Sequence, residues 1–153
     1  MHTKTLFWLS FFLLLFFPSL PLLFFAPYLV ASFYRFGLLS TLWRALGAAL
    51  IINFFASAKT FGLLPISYCL AILLLAFHIR YFFVDKWFTL PLMTYLFSFY
   101  SSFFYFLLFP LFGLGLCLTP RVLVTEILCA PLWDTLLAGI VVFSTHRRNK
   151  VAS

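Results

Sequence analysis

Any chemistry in this 153-residue chain has to come from a short list of side chains: the acids Asp85, Glu126 and Asp134, the histidines His2, His78 and His146, and the cysteines Cys69, Cys117 and Cys129. Two of the acids, Glu126 and Asp134, share the apolar run "EILCAPLWDTLLAGIVVF". Paired carboxylates can hold a divalent metal or share a proton, but on a helix eight positions separate these two by about 12 Å at 1.5 Å per residue. That spacing serves neither chemistry. The cysteines lack CxxC or metal-ligand spacing and an odd number cannot all pair, so they read as small buried residues. The sequence has no GxSxG, HExxH, P-loop or GxGxxG motif. These residues point away from an enzyme, and no cofactor or metal is expected.

The elements that position them follow from composition. The chain is 65% hydrophobic and 8% charged, with a mean hydropathy of +1.16, far from soluble domains with about a quarter of residues charged. This is the composition of an integral membrane protein. The apolar runs lack the dyad alternation of a membrane barrel, so an all-α fold is expected, a compact bundle of about six transmembrane helices. Roughly 20 helical residues are needed per crossing, which leaves no room for a soluble domain. Breakers and charges place the spans at roughly 6–20, 22–42, 45–58, 61–79, 88–112 and 121–144. Five helices, or one re-entrant piece, is the alternative count. The opening "MHTKTLFWLSFFLLLFF" resembles a signal peptide, but it lacks a small-x-small cleavage site and reads as an uncleaved first helix.

With six alternating spans and a cytoplasmic N-terminus, Lys4, Arg35, Arg44, Arg80, Lys86, Arg147, Arg148 and Lys150 share the cytoplasmic side, and Lys59 and Arg121 face outward. This positive-inside bias favours an even number of crossings with both ends cytoplasmic. It also accounts for the net charge of +7 without nucleic acid, because the basic residues form no stripe. Arg80, Lys86, Arg147 and Arg148 are candidates for contact with anionic lipid or a filament. The 24 phenylalanines read as lipid-facing and inter-helix filler.

Depth separates the two acids. Asp134 falls near the middle of the last span, where a charge costs about 2.5–3.5 kcal/mol on the insertion scale, whereas Glu126 falls near the outer edge. Ala130, Asp134 and Ala138 recur at four-residue steps, a small-residue ridge that lets another helix approach closely. Ala45, Ala49, Asn53 and Ser57 repeat the pattern in the third span. The two ridges predict that the third and sixth helices pack together with Asn53 bonded to Asp134. Pro131 cannot donate to the carbonyl of Ile127, so a kink or freed acceptor is expected between the acids.

The segment "FGLLPISYCLAILLLAFHIRYFFVDK" resembles the middle of the rod shape-determining protein MreD family, where LGxxxLSYLLxxxLL opens a helix that ends in an RRYxF-like turn. Phe61, Gly62, Ser67, Tyr68, Arg80, Tyr81 and Phe83 occupy the corresponding places, and Pro27 and Tyr34 match the start of the family's second helix. The family carries an aspartate in a GxxxD setting of its third helix, where this chain has Ala49 and Asn53. The resemblance implies a non-enzymatic inner-membrane scaffold subunit of the bacterial cell-elongation complex, involved in cell shape and peptidoglycan synthesis. It implies as partners an MreC-like bitopic coiled-coil protein, an MreB-like actin filament, and a RodA-type synthase with its penicillin-binding transpeptidase. It also implies a bundle similar to the substrate-binding subunits of vitamin transporters, a likeness of fold that carries no function. The alternative function is a small-molecule binding or transport subunit, with Asp134, Asn53 and Glu126 lining a polar pocket near the midplane.

Overall fold

A computed structural model of the chain describes residues 3–16, 25–55, 62–79, 89–112 and 124–151. All regular structure among these residues is helical: α1 (Thr3–Phe16), α2 (Ala26–Phe36), α3 (Leu38–Phe55), α4 (Leu63–Ile79), α5 (Thr89–Leu108) and α6 (Ala130–Val151). A 3-10 turn, Phe109–Phe112, extends α5, and a π turn, Thr125–Cys129, leads into α6. Two helices, Leu38–Phe55 and Thr89–Leu111, are long and apolar enough to cross a membrane; Thr3–Phe16, Leu63–His78 and Ile127–Phe143 are apolar but shorter.

The break between the second and third helices lies at Gly37 and not at 42–45, because Gly37 has φ +79 and ψ −179, a region essentially reserved for glycine. Its N–H donates to the Phe33 carbonyl at 3.1 Å, closing α2. Its own carbonyl accepts from the Thr41 amide at 3.2 Å and the Thr41 hydroxyl at 2.8 Å, opening α3. One residue therefore reverses the chain, and Arg35 ends in the last turn of α2, where a cation complements the helix dipole.

Short connections set the neighbours. α3 packs on α4, α4 on α5 and α5 on α6, while α2 lies across this row against α3, α5 and α6, and α1 packs on α2. The core is built from Phe25, Leu29 and Val30 of α2 and its entry, Ala45 and Ala49 of α3, Tyr68, Ile72 and Leu75 of α4, and Met93 and Phe97 of α5. Small side chains bring the backbones close. Hydroxyls within the bundle mostly bond to their own helix: Ser67 donates to Leu64 O at 2.9 Å, Thr94 to Leu90 O at 2.8 Å and Thr135 to Pro131 O at 2.7 Å. Such back-bonding satisfies a hydroxyl with no partner from another helix.

Large apolar residues cover the outside, including Leu39, Trp43, Phe54, Phe77, Leu111, Trp133, Leu136 and Ile140. Phenylalanines fill both roles, Phe25 and Phe97 inside and Phe12, Phe16, Phe54 and Phe103 outside. The cysteine expectation is corrected: Cys69 is half-buried and Cys129 exposed, since both fall off the ridges that meet other helices. Cys117 lies outside the described residues.

Candidate functional site

The buried acid organises the site. The π turn Thr125–Cys129 immediately precedes Pro131, with the Ala130 N–H reaching back to the Thr125 carbonyl. A wide turn accommodates the missing proline donor, and this is the form the expected irregularity takes. From there α6 turns one face inward: Ala130, Asp134 and Ala138 are buried, whereas Leu132, Trp133, Leu136 and Ile140 on the other faces are exposed.

That ridge meets α5. Ser98 donates its hydroxyl to Oδ2 of Asp134 at 2.6 Å, and neither residue has measurable solvent exposure. A separation of 2.6 Å lies at the short end of the 2.5–3.0 Å range of O–H···O hydrogen bonds. Tyr68 of α4 completes the cluster. Its ring meets Phe97 edge-on at 5.4 Å, and it is fully buried. The carboxylate thus joins α5 to α6, with Tyr68 of α4 packed against the neighbouring Phe97 of α5.

The expected pairing of Asn53 with Asp134 is overturned. Asn53 is buried at 4% exposure, but neither its amide nitrogen nor its oxygen has a hydrogen-bond partner among the described residues. Its ridge, Ala45, Ala49 and Asn53, packs in the α2–α3–α4 part of the bundle. α4 and α5 intervene between α3 and α6 in the row of neighbours, so the two ridges face different helices.

Ser98 was missed. Its signal was present in "TYLFSFYSSFF", where Thr94, Ser98 and Ser101 recur at four- and three-residue steps on one helical face, and all three are buried. The abundance of phenylalanine in that stretch hid the small polar stripe. His78 sits between the Leu74 carbonyl, 3.1 Å from Nδ1, and the Tyr100 hydroxyl, 3.3 Å from Nε2. Among the described residues no three His, Cys, Asp or Glu side chains gather as a metal site.

The basic candidates divide. Arg80 and Lys86 lie outside the described residues, as do Phe61, Tyr81 and Phe83 of the MreD-like segment. The backbones of Glu126, Arg147 and Arg148 belong to the π turn and α6, while their side chains lie outside the described part. Lys4, Arg35 and Arg44 line one cavity.

Fold and site define an all-helical protein with small and polar side chains clustered inside and large apolar ones outside. No family model, curated protein or solved structure matches the chain.

Proposed function

We propose that the chain is a multi-pass membrane scaffold working by helix-to-helix contact, an MreD-type subunit of the bacterial cell-elongation complex in the inner membrane, with both ends cytoplasmic. The observation that carries the membrane reading is the inverted polarity of α5 and α6. Asp134, Ser98 and Ser101 are sealed inside, while Trp133, Leu136, Ile140 and Phe103 face out. In water this arrangement would expose a large apolar surface; in lipid it is the favourable one, because packed helices use small and polar residues as contacts.

The family reading rests on sequence resemblance. Gly62, with φ +99, opens α4, and the motif residues Ser67 and Tyr68 are fully buried in that helix. The implied partners are an MreC-like bitopic coiled-coil protein, an MreB-like filament, and a RodA-type synthase with its transpeptidase. Purifying the tagged chain from its native cells in a mild detergent and identifying companions by mass spectrometry tests this. A coiled-coil protein with wall synthases is the expected result. A transporter ATPase or a tightly held small molecule in their place would move the chain to the transport class.

A further inference from the structure

Three helices deliver one cation each to a common cavity: Lys4 from α1, Arg35 from α2 and Arg44 from α3. The cavity measures about 560 Å³, within the ~300–1,000 Å³ range of small-molecule sites. Its walls are aromatic, with Phe7, Trp8 and Phe36 among them, and none of its described lining residues is acidic.

Arg44 is held in place before any ligand arrives. Its Nη1 donates to the Ser32 hydroxyl at 3.1 Å, and its guanidinium lies 3.7 Å from the centre of the Phe36 ring. Arg35 approaches the same ring, at 5.3 Å. A hydroxyl and an aromatic face orient a guanidinium without neutralising it. Arg44 also sits six residues inside α3, about 9 Å along the helix at 1.5 Å per residue, so the cavity carries positive charge below the rim of the bundle. Arg44 is half-buried and Lys4 and Arg35 are exposed beside it, so three like charges share one space and create a field that attracts an anion. Guanidinium groups match phosphate oxygens bidentately, and basic pockets between membrane helices on the cytoplasmic side suit phospholipid headgroups.

We propose that this cavity binds the phosphate of an anionic phospholipid, with the headgroup between Arg35, Arg44 and Lys4 and the start of the acyl chain along Phe7 and Trp8. This site rests on the membrane reading of the chain, though not on its assignment to the cell-elongation complex. A free phosphate ester shares the recognised chemistry, so the test includes both sources.

The full-length protein is purified in a non-ionic detergent and titrated, with native mass spectrometry as readout. The probes are phosphatidylglycerol, phosphatidylcholine of the same acyl chains, and glycerol 3-phosphate. Phosphatidylglycerol is expected to bind at least about tenfold more tightly than phosphatidylcholine, and glycerol 3-phosphate weakly. Each charge removed should weaken phosphatidylglycerol about fivefold, in Arg44→Gln and in the double variant Lys4→Gln/Arg35→Gln. The double variant changes only exposed side chains, so it remains informative if Arg44→Gln fails to fold. Lys59→Gln/Arg121→Gln, the two basic residues expected to face outward, serves as the comparison and should retain wild-type binding. Equal binding of the two lipids, or an equal loss in the comparison variant, would overturn the site. Glycerol 3-phosphate binding as tightly as the lipid would overturn the lipid assignment in favour of a soluble ester. Carbonate extraction of cell membranes, run in parallel, separates this outcome from failure of the membrane reading, which would release the chain into the soluble fraction.

Discussion

Deleting the Ser98 hydroxyl should harm the bundle more than deleting both members of its contact. The bond to Asp134 is 2.6 Å long and sealed from solvent on both sides. Hydrogen bonds to charged groups contribute about 1.5–3 kcal/mol in proteins, while polar pairs between membrane helices average only about 0.6 kcal/mol. The short separation favours the upper range, so Ser98→Ala should destabilise by about 1.5–2 kcal/mol, leaving a buried carboxylate short of one donor. Asp134→Leu alone leaves a hydroxyl that can turn to the Thr94 carbonyl one turn back, as Thr94 itself does toward Leu90, and should cost less than about 1.5 kcal/mol. In the Asp134→Leu background Ser98→Ala should then cost almost nothing. The measurement is a double-mutant cycle from equilibrium unfolding in mixed non-ionic detergent and SDS, followed by circular dichroism. A coupling below about 0.5 kcal/mol would refute the reasoning, because it would mean that the carboxylate gains nothing specific from Ser98. The same Asp134→Leu variant should also weaken co-purification with partners; an undiminished yield of partners would detach the contact from assembly.

Other substitutions test the backbone and packing arguments under the same unfolding conditions. Gly37→Ala should destabilise by about 1–3 kcal/mol, since a side chain there meets open space but a forbidden backbone region, whereas Gly47→Ala in α3, with equally open surroundings, should stabilise by about 0.5–1 kcal/mol. Asn53→Leu should be neutral or stabilising by about 1 kcal/mol, because it removes a buried amide without partners among the described residues; a loss above about 1 kcal/mol would reveal a partner. Ala138→Leu, at a fully buried position, should overpack the inward face of α6 and cost about 1–3 kcal/mol, while Leu136→Ala on the exposed face should change stability by under about 0.5 kcal/mol.

The contrast between Asn53 and Ser98 explains how far the sequence could be read. Spacing of small residues identifies which face of a helix is buried, and it did so for both ridges: Ala45, Ala49, Ala130 and Ala138 are all at or below 3% exposure. Spacing cannot say which helix will lie against that face, because any small-residue ridge accepts any other. The partner is chosen by connectivity. α5 and α6 are neighbours in the chain and in space, as are α3 and α4, and the carboxylate of Asp134 takes the hydroxyl that adjacency supplies.

The same logic governs the basic end. Charge counting placed Lys4, Arg35 and Arg44 on one side, but only the reversal at Gly37, a property of a single backbone angle, folds α3 back along α2 so that Arg44 reaches Ser32. Without that turn Arg44 would continue along the axis of α2, about 14 Å beyond Arg35 by helical rise, too far to share one phosphate. The charge pattern thus singles out the three cations, and the glycine gathers them at a cavity. Gly37→Ala should accordingly weaken phosphatidylglycerol binding as well as stability, although residue 37 carries no charge and does not line the cavity. Unchanged lipid binding in a measurably destabilised Gly37→Ala protein would show that the reversal is not what gathers the three cations.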